Sequence, residues 1–238
     1  MIDIHCHLLP YVDDGANDLE EALRLLTLEA AQGVTEACAT PHLRLGMFET
    51  PDEKLLAQYE RLKGPAAEKG LRLFLSREYH CDELLFDRLR DRTLLPIGDR
   101  TLLVEFSQRH SGEQLRKAVG QIQSGGYVPL IAHMERYPAA TESLIRTLRE
   151  EGALIQVNAD AVLGYDGRAL RRFAWTLLKA GLVDVIASDA HSVEERPPRM
   201  RACSELLRKK LGDAQAEKLL HGNPASLLSG LRRQTETV

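Results

Sequence analysis

Several features that define other classes of protein are missing from this sequence of 238 residues. No apolar run comes near the roughly 18 residues of a membrane-spanning helix, which predicts no stable membrane insertion. The start, MIDIHCHLLP, has neither the basic segment nor the uninterrupted apolar core of a signal peptide, so we expect a cytoplasmic protein. With 31 basic and 35 acidic side chains, the chain lacks the basic excess that binding to nucleic acid requires. An apolar content of 44% excludes a disordered chain.

Cysteine is also scarce, and its placement gives no sign of disulfide or thiol chemistry. The four cysteines form no CxxC pair and lie far apart, as is typical of reduced thiols: Cys6, Cys38, Cys81 and Cys203. Cys38 and Arg44 do have the C-x5-R spacing of thiol-based phosphatases. However, no glycine between them lets backbone N–H groups close around an anion, and Pro41 removes one of those donors. We therefore interpret this spacing as a coincidence.

Strand-like and helical segments alternate along the whole chain. Seven strands are predicted, at 1–5, 34–39, 71–76, 101–106, 128–132, 153–157 and 183–187. Helices are predicted at 18–32, 51–70, 112–125, 141–152 and 168–181, with two or three more in 200–233. This alternation indicates parallel strands joined by helical crossovers, in either a closed barrel or an open sheet. No linker divides the chain and no GxGxxG follows the first strand, so we expect one domain, 1–238, without a dinucleotide site.

Side chains of metal-binding types follow six of the seven predicted strands at their C-terminal ends. They are His5, His7, Asp14, His42, Glu78, Glu105, His133, Asp189 and His191. Because these strand ends meet on one face of a parallel barrel, we expect the side chains to converge there. The i, i+2 spacing of His5 and His7, and of Asp189 and His191, places each pair on one side of its strand. The sixth strand has no evident ligand.

The chemistry of these side chains suits transition metals. Mixed imidazole and carboxylate ligands favour Zn, Mn or Fe over Ca or Cu(I). Because one tetrahedral site takes only four ligands, either two or three metal ions bind or several of these residues do not coordinate. A lone histidine on a strand is more often structural than a ligand. His80 shares a face with Glu78, which leaves a further ligand open as the alternative to the solvent-facing position that we expect. We interpret His221 as structural and His110 as a weak candidate for a proton donor.

Two arginines, Arg136 and Arg196, follow candidate ligands closely in the sequence. An exposed arginine is usually only a solvated charge. At the mouth of a metal site, however, two guanidinium groups repel each other unless an anion lies between them. A phosphate group held by both arginines fits this arrangement.

A set of motifs along the chain resembles a known family. In order they are MIDIHCHLLPYVDDGANDLEEAL, ACATPH, IAHMERYP, LIQVNADAVLG, VIASDAHSVEERPPRM and GNPASLL. They are similar to those of the bacterial PHP-domain protein-tyrosine phosphatases of capsule and exopolysaccharide operons, the CpsB type. The resemblance covers residues 1 to about 228. It implies an α/β fold, namely the distorted seven-stranded (β/α) TIM-like barrel of a PHP domain.

The resemblance also implies a site for three divalent metal ions, usually Mn²⁺, with Fe, Zn or Mg as alternatives. The ligands of the first ion would be His5, His7, Glu78 and Asp189. Glu78 would bridge to a second ion, whose other ligands would be Glu105 and His133. The ligands of the third ion would be Asp14, His42 and His191. Arg136 and Arg196 fall on the family's phosphate-binding arginines.

The chain departs from the family pattern at a few positions. Tyr11 stands where the family often has glycine. Ser76 and Arg77 precede Glu78 where a small or glycine-containing pair is common. The segment 49–105 matches least, so the assignments of Glu78 and Glu105 have the weakest support.

The function implied by the resemblance is that of a metal-dependent protein-tyrosine phosphatase. A metal-bridging hydroxide would attack phosphorus, with Arg136, Arg196, His42 and Asp189 as catalytic residues. The substrate would be a phosphotyrosine protein, specifically a bacterial tyrosine autokinase that controls capsule or exopolysaccharide synthesis. The alternatives are another PHP phosphoesterase (a histidinol-phosphate phosphatase or an exonuclease), an amidohydrolase, and a non-enzymatic regulator of a tyrosine kinase. Amidohydrolases often bridge their metals with a carbamylated lysine, whereas the fourth predicted strand ends in Glu105.

Overall fold

A computed structural model describes residues 1–235 of the chain, with side chains up to Arg232. This part of the chain contains nine strands, and every hydrogen-bonded pair of them is parallel. They are β1 (Ile2–Cys6), β2 (Glu36–Ala39), β3 (His42–Leu43), β4 (Arg72–Leu75), β5 (Glu78–His80), β6 (Thr101–Glu105), β7 (Val128–Ile131), β8 (Leu154–Asn158) and β9 (Val185–Ala187).

The number of strands differs from the seven predicted. Each predicted segment overlaps one strand, and the two additional strands, β3 and β5, follow β2 and β4 after breaks of two residues. The hydrogen bonding continues through the breaks, because Ser76 N donates to Ala39 O at 2.9 Å and Glu78 N donates to Pro41 O at 3.1 Å. Strands of two and three residues are too short to show the alternation of apolar and polar residues by which a strand is recognised.

Helices cover the curled sheet, and the structure contains all those that were predicted. Within residues 1–235 they are α1 (Leu19–Ala31), α2 (Asp52–Glu68), α3 (Glu83–Asp91), α4 (Gly112–Ser124), α5 (Glu142–Glu150), α6 (Ala159–Leu163), α7 (Arg168–Lys179), α8 (Met200–Leu211), α9 (Asp213–Glu217) and α10 (Asn223–Thr235). A 3-10 turn at Met134–Arg136 and a π-helical turn at Lys218–Gly222 complete the set, and α3 and α6 were not predicted. No helix in the described range has the length and apolarity to cross a membrane.

The local sequence explains where several helices begin. The Asp18 carboxylate accepts a hydrogen bond from Glu21 N at the start of α1. At the start of α4, Ser111 and Gln114 form a capping box, in which each side chain accepts from the other's backbone N–H. These bonds satisfy backbone donors that have no partner within a helix.

The strands form a curled parallel sheet whose outer edges come together. The strand order is β1-β2-β4 in one part and β3-β5-β6-β7-β8-β9 in the other. Just beyond β9, Asp189 N donates to His5 O at 2.8 Å, and His7 N donates to Ala190 O at 2.8 Å. The C-terminal ends of the first and last strands therefore lie side by side. This curl gathers the residues that follow the strands.

Two hydrophobic clusters hold the sheet and the helices together. The smaller contains alternate strand residues, among them Ile2, Ile4, Phe74 and Leu103. The larger contains the other strand faces and the buried stripes of the helices. Because a parallel sheet with helices buries its strands, these strands are apolar along nearly their whole length.

Candidate metal centre

All nine predicted ligands lie in one connected cluster at the C-terminal ends of the strands. Each has a nitrogen–oxygen contact of 3.9 Å or less with another member. Glu78 lies at the centre. Its Oε2 is 3.1 Å from His5 Nε2, 3.3 Å from His7 Nε2 and 3.0 Å from His42 Nδ1, and its Oε1 is 3.0 Å from His133 Nε2. The sequence segment with the weakest resemblance therefore provides the most connected ligand.

Three groups of ligand atoms are compact enough to surround single ions, since the atoms of each group lie within 4.8 Å of one another. One group is His5, His7, Glu78 and Asp189. Another is His7, Asp14, His42 and His191. The third is His42, Glu78 and Glu105. His7 and His42 each belong to two groups, whereas the family resemblance assigns each to one ion. His133 adjoins the third group, with its Nε2 3.9 Å from Glu105 Oε2.

Two of the ligands have unusual backbone conformations. His133 and Asp189 have φ of 32° and 55°, in the left-handed region that residues other than glycine seldom adopt. Such strain persists where the surrounding structure requires it, and it is concentrated at functional sites. Tyr11 also has a positive φ of 65°, at the position where the family often has glycine. Gly15 lets the following loop approach β1, because a Cβ there would lie 2.3 Å from His7 O.

Hydrogen bonds at Nδ1 leave the Nε2 atoms of several histidines facing the cluster. His5 Nδ1 donates to Gln156 Oε1 at 3.2 Å, and His7 Nδ1 donates to Asp13 Oδ2 at 2.7 Å. His191 Nδ1 donates to the backbone carbonyl of Asp189 at 2.9 Å. This pattern is typical of metal-binding imidazoles, whose other ring nitrogen is held by a carboxylate or carbonyl oxygen.

Four residues that no sequence pattern singled out support the ligands: Asp13, Tyr137, Gln156 and Asn158. Gln156 Oε1 also accepts from His133 N at 2.7 Å, and Asn158 Nδ2 donates to Asp189 Oδ2 at 2.7 Å. Both belong to β8, the predicted strand without a ligand, so that strand contributes supporting residues instead. Gln156 and Asn158 are polar residues on an otherwise apolar strand, and this was the sequence signal that could have indicated their role. Tyr137 OH lies 3.2 Å from His133 Nδ1.

The three remaining histidines have different surroundings. His80 is buried, not solvent-facing as expected, and its Nδ1 contacts Glu105 Oε1 at 3.1 Å. It faces inward because β5, which was not predicted, places it on the same side as Glu78. His110 Nδ1 accepts from Ser107 N at 3.2 Å and does not line the cavity described below. His221 is exposed in the π-helical turn.

Burial and neighbouring charges together decide which buried groups of the cluster are ionised. Burial lowers the pKa of His7, but the Asp13 carboxylate outweighs this effect and raises the pKa to about 10. Burial raises the pKa of Glu78, whereas His5 and His42 lower it, so that it lies well below its usual range. The Glu78 carboxylate is therefore present in the ionised form that coordination requires, whereas His7 must release a proton to bind an ion.

Both arginines singled out in the sequence converge on Asp189. Arg136 Nη1 donates to Asp189 Oδ2 at 2.8 Å, and Arg196 Nη2 donates to the same oxygen at 2.6 Å. Although burial raises the pKa of Asp189, the charges of His5, Arg136 and Arg196 bring it well below its usual range. A carboxylate oxygen thus holds the two guanidinium groups close together at one point.

Above the cluster lies a cavity of about 390 Å³. Its polar wall includes six of the nine ligands and both arginines: Asp14, His42, Glu105, His133, Arg136, Asp189, His191 and Arg196. Its apolar wall includes Met47, Phe48 and Phe106. This volume suits a small molecule or a single modified side chain.

Unpartnered buried atoms show that the residues fit metal ions. Glu78 Oε2, His42 Nδ1 and His191 Nε2 are buried and have no hydrogen-bond partner of acceptable geometry in the described structure. Buried polar atoms without partners are costly, and divalent ions bound in the cluster would satisfy all three of these atoms. Imidazole nitrogens and carboxylate oxygens are the donor atoms that Mn, Fe and Zn bind.

The C-x5-R pair does not form a phosphate-binding loop. Cys38 is fully buried in the smaller hydrophobic cluster, while Arg44 lines the cavity. Burial raises the pKa of the Cys38 thiol, which keeps it uncharged and a poor nucleophile. These positions agree with the interpretation of the spacing as a coincidence.

Comparisons with known proteins agree with the resemblance seen in the motifs. Residues 1–229 match the family model for capsular polysaccharide synthesis proteins, CpsB/CapC. The tyrosine-protein phosphatase CpsB of Streptococcus pneumoniae is 34% identical to this chain, over 96% of the chain and 98% of its own length. A solved structure from work on YwqE of Bacillus subtilis and CpsB of S. pneumoniae, two metal-dependent tyrosine phosphatases, has a TM-score of 0.88 at 30% identity. It covers 97% of this chain and 95% of its own.

A more distant likeness concerns the fold alone. Dihydropyrimidinase of Brevibacillus agri has a TM-score of 0.60 at 11% identity, over 92% of this chain and 68% of its own. The curled parallel sheet is thus shared with barrels of the amidohydrolase type, whereas the sequence similarity extends across the capsule-synthesis proteins. By its motifs and by the match over nearly its whole length, the chain belongs to the CpsB/CapC family.

Proposed function

We propose that this protein is a metal-dependent protein-tyrosine phosphatase. The observation that carries the proposal is the arrangement of a connected cluster of nine ligands and two arginines around one cavity. CpsB of S. pneumoniae, to which the chain is similar over nearly its whole length, is a tyrosine-protein phosphatase. The substrate class implied is a phosphotyrosine protein, and the further expectation is a bacterial tyrosine autokinase of capsule or exopolysaccharide synthesis in the cytoplasm.

We assign the metal ligands as the motifs imply, with three divalent ions as the full complement. His5, His7, Glu78 and Asp189 would hold the first, and Glu78, Glu105 and His133 the second. Asp14, His42 and His191 would hold the third. The overlap of the observed groups at His7 and His42 supports ions placed close together. Mn²⁺ is our first choice, with Fe, Zn or Mg as alternatives.

When bound, the metal ions supply activated water and positive charge for attack on phosphorus. The chain's own contribution is to bind and orient the phosphate group. Arg136 and Arg196 line the cavity on one side and donate to equatorial phosphate oxygens in the charge-assisted geometry that guanidinium groups favour. Asp189 positions both arginines through Oδ2. A tyrosine leaving group has a pKa of about 10, so it needs less proton donation than an aliphatic alcohol.

The architecture we propose is a single distorted seven-stranded (β/α) barrel of PHP type, spanning 1–238. In this description β2 with β3, and β4 with β5, are two broken strands. The hydrogen bonds from Asp189 N to His5 O and from His7 N to Ala190 O close the ring. Residues 236–238 lie outside the described part of the chain. In such a barrel the C-terminal ends of the strands lie on the side of the cavity, which is where these folds carry their active sites.

The test combines metal analysis with hydrolysis of matched peptides. Purified protein should contain divalent metal, hydrolyse a phosphotyrosine peptide faster than the corresponding phosphoserine peptide, and lose turnover on dialysis against EDTA. Added Mn²⁺ should restore it. The control is Cys38→Ser, which should retain turnover because the thiol is buried away from the cavity. Activity that survives complete removal of metal but is lost in Cys38→Ser would refute the proposal.

A further inference from the structure

The apolar wall of the cavity has no role in the chemistry described above. Met47 and Phe48 come from the turn after β3, and Phe106 directly follows β6. The turn is closed by two hydrogen bonds of 2.9 Å, from Arg44 N to Phe48 O and from Phe48 N to Arg44 O. The apolar side chains therefore stand on a defined piece of backbone beside the metal ligands.

Met47 shows that this wall faces the cavity and not the protein core. Its relative exposure is 58%, which is high for a large apolar side chain. Leu45, two residues earlier in the same turn, is 48% exposed but does not line the cavity. The two residues thus have similar exposure and size, and they differ in whether they border the site.

Ring contacts fix the two phenylalanines in place. The Phe48 ring is stacked on the His42 ring, with centroids 5.3 Å apart and planes at 14°. Phe106 contacts His110 and Tyr137 edge-on, at centroid distances of 5.8 and 6.0 Å. Side chains that are already ordered lose little conformational entropy when a ligand binds.

We propose that Met47, Phe48 and Phe106 form an aryl-binding wall, which selects phosphate esters of phenols over those of aliphatic alcohols. The inference rests on the proposed phosphatase function. One cavity joins this wall to Arg136, Arg196 and the metal ligands, so an aromatic ring contacts the wall when its phosphate reaches them. Apolar contact with a ring is favourable because it removes apolar surface from water, and serine or threonine phosphates have no ring to offer.

The test compares the binding of two phosphonates, of which only one carries an aromatic ring. Calorimetry with the Mn²⁺-loaded protein would measure phenylphosphonate and methylphosphonate, neither of which can be hydrolysed at phosphorus–carbon by this reaction. Met47→Ala should weaken the binding of phenylphosphonate about threefold to tenfold, from the loss of apolar contact area, and leave methylphosphonate unchanged. Leu45→Ala is the matched control and should change neither affinity.

Phe48→Leu provides a second variant, which keeps an apolar side chain but removes the ring. Because Phe48 contacts His42, the metal content of the Phe48→Leu variant is measured together with its affinity for both phosphonates. A selective loss of phenylphosphonate affinity at unchanged metal content supports the wall. Equal losses for both ligands in Met47→Ala, no loss at all, or the same loss in Leu45→Ala would overturn it.

The outcome is separable from that of the proposed function. Ring-dependent binding without hydrolysis of any phosphotyrosine peptide would support the wall and refute the phosphatase. Hydrolysis of phosphotyrosine with ring-independent binding would support the phosphatase and refute the wall.

Discussion

Two groups of buried acidic residues adjoin β1, and they differ in what surrounds them. At the metal centre, Glu78 and Asp189 contact imidazoles and guanidinium groups. Between β1 and α1, Asp3 faces Glu29, and both are fully buried. Asp3 Oδ1 accepts from His5 N and Ser188 N, but Asp3 Oδ2 and both Glu29 carboxyl oxygens have no hydrogen-bond partner in the described structure.

The presence or absence of basic neighbours determines whether the buried carboxyl groups are ionised. Burial raises the pKa of Asp3, and burial together with the neighbouring Asp3 raises that of Glu29 well above its usual range. In the metal centre, basic neighbours overcome the same effect of burial and lower the pKa of Glu78 and Asp189. Asp3, Cys6 and Glu29 also bring three ligand atoms within 4.8 Å, and burial raises the pKa of the Cys6 thiol as well. Ligand spacing alone thus does not distinguish the two groups, whereas their charged neighbours do.

The largest effect is expected from Asp189→Asn, which removes the charge that joins His5 to both arginines. We expect turnover of a phosphotyrosine peptide to fall by about 1,000-fold or more, because the amide is a poor ligand and no longer orients two cationic donors. Asp213→Asn, a change of the same type at an exposed position, is the control and should retain activity. Steady-state kinetics and metal analysis measure the effect. Turnover within a few-fold of the unmodified protein would show that Asp189 is not a site residue.

A smaller effect is expected from Arg136→Ala, which removes one cationic neighbour of Asp189 but no metal ligand. Loss of one charge-assisted hydrogen bond to phosphate should raise KM about 10- to 100-fold. Metal content should stay unchanged, since Arg136 touches Asp189 Oδ2 and not the oxygen, Oδ1, nearest His5. Arg116→Ala is the matched control, because Arg116 is exposed, pairs with Glu151 and does not line the cavity. A fall in metal content with KM unchanged would place Arg136 in support of the ligands instead.

The smallest effect is expected at Glu29, which faces Asp3 between β1 and α1. It is seen in the stability of the fold rather than in activity. The raised pKa of Glu29 in the folded protein means that its contribution to stability is complete below the unfolded pKa of about 4.5. That contribution is lost as pH rises toward the folded value, by about 1.4 kcal/mol per pH unit. Glu29→Gln abolishes this titration, so its melting temperature relative to the unmodified protein should increase from pH 5 to pH 8.

Glu20→Gln, on the exposed face of the same helix, is the control and should show no such trend. Thermal unfolding at several pH values, followed by circular dichroism, measures the difference. A constant difference between Glu29→Gln and the unmodified protein across this range would show that Glu29 does not titrate as its surroundings indicate. Turnover should be retained, because Glu29 does not border the cavity.

Much of the candidate site was accessible from the sequence because its residues occupy repeated positions. His5, His133 and Asp189 each stand at or just after a strand, so the alternation of strands and helices was enough to predict that they meet. Supporting residues are harder to predict. Asp13 and Gln156 each hold two ligand residues by hydrogen bonds, one to a ring nitrogen and one to a backbone N–H, and no spacing rule marks such partners.

The sequence by itself determined the order of the elements, the types of ligand and the family, because periodicity, residue chemistry and motifs are local properties. Only the tertiary structure decided how the ligands are grouped, that both arginines meet on Asp189, and that His80 faces inward. It also decided which buried carboxyl groups stay charged. Distances between residues far apart in the chain depend on the curl of the sheet, and a pKa depends on every neighbour that the curl brings near.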